Sequence, residues 1–284
     1  MNILQWKEGL VGMLLEKCIG RGNTAEVYEL KDIENEVVKL FYEKIPYELI
    51  EMEFEKSGVI SQLGIPSPNV HKLLELDNKW GILYEKVMGK NFTDIISSQP
   101  FLLQKNAQLF AELQASFHSK SIEKLPSQKA YLSRNIKGTN LLSEEEKQKI
   151  LQYLETLPDD NKVCHGDYHS DNIIMMNGRA KILDWMTGTS GNPSGDVART
   201  LLIMRDSYLP PSMPKVTKIL LQIVRKMFAK SYLNHYMKIT KSSLESIEKW
   251  LLPIMAARLV EGVPEPEKES LVKKIRLMIG GGMA

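Results

Sequence analysis

The stretch His165-Gly166-Asp167-Tyr168-His169-Ser170-Asp171-Asn172 decides the reading of this chain, together with Asp184, which lies twelve residues further on inside the apolar run Lys181-Ile182-Leu183-Asp184-Trp185. Phosphoryl transfer asks little covalent chemistry of a protein. It needs a carboxylate to orient the attacking hydroxyl and oxygen ligands to hold magnesium against phosphates. Asp167 suits the first task, while Asn172, five residues on, and Asp184, on a following strand end, suit the second. The same residue types also suit a plain turn, because Asp and Asn side chains bond their own backbone. The meaning of the motif therefore depends on its surroundings.

With 284 residues, 43% of them hydrophobic, the chain can bury real cores. Its two cysteines, Cys18 and Cys164, are far apart and fit neither a disulfide framework nor a zinc site. A reducing cytoplasm is the expected location. The longest apolar run near the N-terminus covers residues 10–15 and follows Lys7 and Glu8, too short and too charged for a secretory segment. No stretch approaches the ~18 apolar residues that mark a membrane span, so no membrane partner is expected. Net charge is +2 overall but −5 for residues 1–89 and +7 for residues 90–284. That excess comes without a basic run interleaved with aromatics, so nucleic acid is not an expected partner either.

Upstream, residues 14–40 alternate like strands. A run ending at Ile19, a glycine turn, residues 25–30, a polar hairpin tip at residues 31–35 and residues 36–41 together read as a β-meander. Residues 46–63 carry Ile50, Phe54 and Ile60 at roughly helical spacing and end at Gly64 and Pro66-Ser67-Pro68. Residues 70–76 and 81–87 are two further strands joined by an Asp77-Asn78 turn. After Gly89 the character changes, with helices expected over 101–119, 144–157, 215–230, 243–259 and 267–279, and short strands at 163–164, 173–176 and 180–183. The chain thus divides into a domain over 1–89 and another over 90–284, expected to pack around a cleft.

Ile19-Gly20-Arg21-Gly22-Asn23-Thr24-Ala25-Glu26-Val27 lies between the first two strands. Gly20 and Gly22 would let backbone come close to phosphates, and amides near Asn23 and Thr24 could donate to them, although a Gly-Arg-Gly hairpin also occurs for turn reasons alone. No Gly-Lys-Ser or Gly-Lys-Thr follows, so this is not a Walker A loop. Lys39 stands in an apolar strand and faces either phosphates or an exposed edge. A cleft lysine needs a carboxylate, and the following helix offers Glu51, Glu53 and Glu55 on different faces.

Glycine loop, lysine, helix glutamate and catalytic motif occur in the order seen in the protein-kinase-like superfamily. The His-Gly-Asp form resembles its branch of aminoglycoside phosphotransferases and choline kinases. The resemblance covers essentially the whole chain, with its specificity in residues 20–27, Lys39 and residues 165–184. It implies an α+β, two-lobed protein-kinase-like fold with a small β-rich N-lobe and a larger, mainly helical C-lobe. The first lobe would bind ATP or GTP with Mg2+, and the second would carry catalysis and the acceptor. Residue by residue, it implies Asp167 as base or hydroxyl-orienting group, Asn172 and Asp184 as metal ligands, and Lys39 as the phosphate-binding cation. Its partner would be Glu53, which falls in register when measured back from Pro66-Ser67-Pro68; one residue of slip would turn the choice by ~100°. Tyr84-Glu85-Lys86-Val87-Met88-Gly89-Lys90 resembles the segment joining the lobes, where the Glu85 carbonyl and Val87 amide would read adenine. His165 would hold its loop by hydrogen bonds, and Asp196 would brace that loop from the next helix.

Two departures point away from a regulated protein kinase. Trp-Met follows Asp184 where Phe-Gly is usual, with no Ala-Pro-Glu segment after it, and His169 replaces a lysine two residues after the aspartate. The expected acceptor is a hydroxyl of a small molecule: a sugar, amino alcohol, related metabolite or aminoglycoside. The +7 of the second part disfavours polycationic aminoglycosides. Glu261, Glu265, Glu267 and Glu269 could form an acidic patch, but lysines among them favour a solvated helix face, and Trp250 and Arg258 either border the acceptor cleft or pack in the core. Two rival readings are a nucleotide-binding pseudokinase acting as a scaffold and an atypical protein kinase.

Overall fold

A computed structural model of the chain describes residues 15–206, 209–210 and 212–281. The apolar run over residues 10–15, too short and too charged for a secretory segment, lies, but for Leu15, outside the described residues. Two compact units emerge: residues 1–89 together with Lys181–Met186, and Lys90–Ala180 together with Thr187–Ala284. The short piece bearing Asp184 thus belongs with the first unit, 95 residues beyond Gly89 in sequence.

The first unit is an antiparallel sheet of β1 (Leu15–Arg21), β2 (Ala25–Leu30), β3 (Ile33–Phe41), β4 (Val70–Leu76) and β5 (Lys79–Glu85), ordered β1-β2-β3-β5-β4, with α1 (Tyr47–Gln62) inserted between β3 and β4. Alternation sorts the side chains. Ala25, Phe41 and Ile82 join Ile50 of α1 in one core cluster, while Leu30, Val38, Leu74 and Leu83 form another. The β2–β3 hairpin is tighter than its polar sequence suggests. Its tip is Lys31-Asp32 rather than residues 31–35, with Asp32 at φ 61°, and Leu30 already pairs with Ile33. Glu34, Asn35 and Glu36 have no partner on β2, and Glu36 instead faces Glu85 on β5. Between β4 and β5, Asp77 and Asn78 both take positive φ, as a two-residue hairpin turn of the favoured hand requires.

The second unit is mainly helical. Its elements are β6 (Lys90–Asn91), α2 (Phe92–Ser98), α3 (Leu103–His118), α4 (Gln128–Gly138), α5 (Glu144–Thr156), β7 (Lys162–Cys164), β8 (Ile173–Met176), β9 (Arg179–Ile182), β10 (Thr189–Gly191), α6 (Pro193–Asp206), α7 (Lys215–Thr240), α8 (Leu244–Glu248), α9 (Leu251–Arg258) and α10 (Glu265–Gly280). At its centre the Phe110 ring of α3 stands 4.3 Å from Tyr168, 5.7 Å from Phe228 and 5.3 Å from Tyr232. The catalytic motif is thereby seated on α3, and α3 on α7.

Several elements differ from expectation, among them α6, β6 and β10, which lie outside the expected segments. α7 continues ten residues past 230, because Tyr232, Leu233 and Tyr236 prolong its buried stripe, and it stops at Lys241 in left-handed conformation. The helix expected over 243–259 is two helices. Pro253 is the third residue of the second, where a missing N–H costs nothing because first-turn amides have no partner in the helix. α2 and α4, of seven and eleven residues, are short and so carry only a few apolar positions each. Their starts are set by caps: Asn91 accepts the Thr93 N–H at 2.8 Å, and the Ser127 hydroxyl accepts the Ala130 N–H at 3.3 Å.

Candidate active site

Lys39 lies opposite Val27 and Ile82 on the middle strand of the five, which removes the reading of an edge lysine. It shares a face with Phe41, toward α1. The buried stripe of α1 is Ile50, Glu53, Lys56, Ser57 and Ile60, three of them polar, and each of the three is bonded. Glu53 Oε1 takes the Lys39 ammonium at 2.6 Å and the Tyr84 hydroxyl at 3.2 Å. Ser57 Oγ lies 3.1 Å from that same hydroxyl, and Lys56 Nζ donates to the Met186 carbonyl at 2.7 Å. Glu51 instead accepts from Tyr47, its own neighbour on the helix.

Asp184 Oδ1 holds Lys39 from the other side at 3.1 Å. Asp184 itself sits at φ 60°, a left-handed conformation that aspartate tolerates better than most residues. Burial works to lower the Lys39 pKa, but the charges of Asp184 and Glu53 outweigh it and raise it, so the ammonium is retained. Burial raises the pKa of Glu53 even against Lys39. Glu53 Oε2 is buried and accepts no bond among the described residues. Asp184, by contrast, keeps 42% of its side chain exposed.

In the loop between β1 and β2, neither glycine is demanded by the chain's own geometry. Neither Gly20 nor Gly22 has positive φ, and an added Cβ would meet nothing closer than 3.5 Å and 3.7 Å respectively. Turn strain therefore does not account for them. Gly22 N–H donates to Ala25 O, and Thr24 O accepts the Tyr42 N–H, both at 2.9 Å, while Asn23 is exposed at the tip.

Further along, Glu85 N–H pairs with Asn69 O, but the Asn69 N–H donates to the Glu85 carboxylate at 3.0 Å rather than to its carbonyl. Among the described residues, no hydrogen bond reaches the Glu85 carbonyl or leaves the Val87 N–H. The Glu85 side chain also takes Lys181 Nζ at 3.1 Å. Its identity matters to this segment more than a backbone reader of adenine would require. Burial pushes its carboxyl up, but the Asn69 amide and Lys181 outweigh that and lower it.

In the second unit, the catalytic motif is fixed from behind. Asp196 of α6, 1% exposed, accepts the Gly166 N–H at 2.6 Å, His118 Nε2 at 2.9 Å and Gln114 Nε2 at 3.0 Å. With His118 donating from Nε2, its Nδ1 accepts from the Tyr236 hydroxyl at 2.6 Å. The Tyr232 hydroxyl donates to Gln114. Burial opposes ionisation of Asp196, yet His118 and the Gly166 amide overcome it and hold the carboxyl below its ordinary range. Gly166, at φ +78°, is required: a Cβ there would meet the Thr187 carbonyl oxygen at 2.7 Å. Tyr168 anchors the loop in the core by donating to the Phe110 carbonyl at 2.9 Å.

Asp167 is partly open to solvent. Its N–H donates to His165 Nδ1 at 3.2 Å, in keeping with a holding role for that histidine. Its carboxylate lies 3.4 Å from His169 Nε2 and 3.7 Å from Arg199 Nη2. Burial would raise its pKa, but His169 and Arg199 reverse that and depress it strongly, so Asp167 is ionised at neutral pH. Burial lowers His169, whereas hydrogen bonds to Asp167 and Asp171 push it up to about 9. Asn172 Nδ2 donates to the Asp167 carbonyl at 2.9 Å, which leaves its amide oxygen as the group able to meet a cation.

Arg199 was not among the residues singled out, although it stands one helical turn after Asp196 and hence on the same face. Its Nε donates to the Gly166 carbonyl at 3.1 Å and its Nη2 to Glu261 at 2.8 Å. Tyr84, Lys181, His118 and Gln114 were missed too, since their partners are distant in sequence. The C-terminal acids are no solvated face throughout: Glu261 holds Arg199 and Arg258, and Glu267, 6% exposed, pairs with Arg258 at 2.8 Å. Trp250 is fully buried, so its place is in the core.

A family model described as the phosphotransferase enzyme family matches residues 17–213, well over half of the chain. A search of curated protein sequences finds no match. Among solved structures, the chain resembles aminoglycoside phosphotransferase APH(4)-Ia, with TM-score 0.64, 12% identity and coverage of 95% of this chain and 94% of that one. It also resembles amicoumacin kinase hAmiN in complex with AMP-PNP, Ca2+ and Ami, with TM-score 0.58, 13% identity and coverage of 95% and 88%. A third likeness is to aminoglycoside phosphotransferase APH(3'')-Id from Streptomyces rimosus, with TM-score 0.54, 19% identity and coverage of 89% and 95%. At these identities the structural likeness is one of fold, and the family match over residues 17–213 leads to a single conclusion: the chain belongs to the phosphotransferase enzyme family.

Proposed function

We propose that the protein moves the γ-phosphate of ATP or GTP, with Mg2+, to a hydroxyl of a small molecule. The observation that carries this is Lys39 held between buried Glu53 and half-exposed Asp184. A lysine with two carboxylates and a raised pKa stays charged, and its more exposed partner is free to trade it for phosphate oxygens. In this reading Gly20, Gly22, Asn23 and Thr24 line the phosphates, and the Glu85 carbonyl and Val87 N–H read the base. Asp167, ionised and oriented by His169 and Arg199, accepts the hydrogen bond of the attacking hydroxyl and takes its proton as the acceptor O–P bond forms and the bond from the γ-phosphorus to the β-phosphate oxygen breaks, so that the nucleoside diphosphate leaves.

The donor set suits a hard cation: a carboxylate from Asp184 and an amide oxygen from Asn172. No cluster of three or more His, Cys, Asp or Glu side chains able to cage a metal occurs among the described residues. Magnesium held by these two groups would take its remaining oxygens from phosphates and water, as it commonly does, and would supply charge neutralisation there.

For the acceptor, the proteins of known fold named above suggest an aminoglycoside or another hydroxylated compound such as amicoumacin. The charge argument against polycations weakens, because the whole +7 of residues 90–284 falls within residues 207–244, and the rest of that part is balanced. Sugars and amino alcohols stay within the same reading. The test is a screen of hydroxylated metabolites and aminoglycosides for acceptor-dependent consumption of ATP or GTP, with Asp167→Asn as control. Nucleotide binding without turnover on any acceptor would favour the pseudokinase reading, and transfer confined to protein hydroxyls would favour the atypical protein kinase.

A further inference from the structure

The N-terminal half of α7 carries an apolar ridge that nothing among the described residues covers. Val216, Ile219, Leu220, Ile223 and Met227 are 78%, 58%, 61%, 49% and 56% exposed. They recur at three- and four-residue steps, which sets them along one side of the helix. The buried residues of the same helix, Phe228, Tyr232 and Tyr236, lie half a turn round from them, against α3. The ridge therefore points away from the core, and at its C-terminal end Met227 borders a groove beside α3.

Charge is concentrated at the same place. Residues 207–244 contain seven Lys and Arg and no Asp or Glu. Of these, Lys215, Lys226, Lys230, Lys238 and Lys241 form no ion pair among the described residues. Beyond Met227 the outward side continues as Lys230, Asn234 and Lys238, which line a groove of about 560 Å³ against Gln104 and Gln108 of α3. The acid facing this part of α7 from α3 is Glu112, which is bonded to His235 at 3.0 Å.

We propose that this face of α7 rests on an anionic lipid surface, with the helix in the plane of the headgroups, the ridge in the acyl boundary and the lysines on lipid phosphates. An apolar stripe flanked by lysines and free of acids is the pattern of interfacial helices. Pairing the ridge with that of a second copy would set one cationic surface against another. The ridge consists of Val, Ile, Leu and Met only, whereas docking sites for a folded partner are usually anchored by Trp, Tyr or Arg in pockets. No helix among the described residues is long and apolar enough to cross a membrane. A helix lying in the interface needs no such length, so the lack of a spanning segment does not bear on it.

The test uses the full chain and reads binding rather than turnover, so that it is independent of the proposed catalysis. Co-sedimentation is measured with vesicles of phosphatidylcholine alone and with vesicles that also contain phosphatidylglycerol. The expected result is binding to the anionic vesicles only, weakened by salt, and reduced about tenfold or more by Leu220→Glu with Ile223→Glu and by Lys226→Glu with Lys230→Glu. Unchanged circular dichroism and melting temperature show that these outward substitutions leave the fold intact; should the ridge pair unfold the chain, the lysine pair carries the test. Absence of binding to anionic vesicles, or binding that both pairs of substitutions leave unaltered, overturns the proposal. So does a concentration-dependent dimer abolished by Ile223→Glu without vesicle binding, which would assign the ridge to a second copy.

Discussion

The two units hold their reactive groups in opposite ways. Around Asp167, support comes through backbone and buried side chains: Asp196 takes the Gly166 N–H, Arg199 takes the Gly166 carbonyl, and His118 and Gln114 complete the shell. Around Lys39, support comes through side chains only, with one buried carboxylate partner, itself held by Tyr84, and one half-exposed partner. The difference matches the work proposed for each. A loop that orients a hydroxyl gains from being set before the acceptor arrives, because misplacement by an ångström is expensive in rate. A lysine that must receive phosphates gains from a partner it can release.

The largest break in this comparison should come from Asp167→Asn. Acceptor-dependent turnover is expected to fall by about 10²- to 10⁴-fold, the usual share of a positioned acid or base, with nucleotide affinity changed only a few-fold. Equal turnover by variant and wild type would remove Asp167 from the chemistry.

Next comes Asp196→Ala, which leaves a buried histidine, amide and glutamine without their common acceptor. Loss of one partner from such a buried set costs about 3–5 kcal/mol, visible as a lower melting temperature even without nucleotide. A variant that melts with wild type would show that the loop is not braced from α6.

Glu53→Gln probes the other unit. It keeps the shape of the side chain, and Lys39 keeps Asp184, so only a charge-assisted bond worth about 1.5–3 kcal/mol is lost. The expected outcome is a roughly ten- to hundredfold rise in KM for nucleotide with a fall in melting temperature of a few degrees, smaller than that of Asp196→Ala. If folding collapses instead, the Lys39 pair is structural in the way the Asp196 set is, and the contrast between the units fails.

The smallest effect concerns pH. The pKa of His169 is raised in the folded protein to about 9 from an ordinary value near 6.5. A group raised in this way contributes stability that is fully present below about pH 6.5 and is lost as pH rises through about 9. The melting difference between wild type and His169→Gln should therefore shrink across that range. Asp196 runs the other way: its depressed pKa contributes stability present above about pH 4 and lost on further acidification.

What could be read from the chain follows from the range of the forces involved. Strands β1 to β5 and helix α1 announce themselves by period and punctuation, which are local properties, and an eight-residue motif shows its own spacing. Helices α2 and α4 escape notice because they are short, at seven and eleven residues, and too few apolar positions repeat within them to mark a period. Arg199 was within reach by counting one turn from Asp196, but its partner Glu261 is 62 residues away and carries no local signal.

By itself, then, the sequence determined the α+β class, the order of glycine loop, lysine, helix glutamate and catalytic motif, and the membership of the phosphotransferase family. Only the tertiary structure decided that Lys39 stands on the middle strand and not at an edge, and that residues 181–186 return to the first unit. It alone showed Glu261 and Glu267 spent on buried arginines and the ridge of α7 turned outward. The physical reason is common to all of these. Ion pairing and burial depend on distances between residues far apart in the chain, and such distances exist only once the backbone has closed.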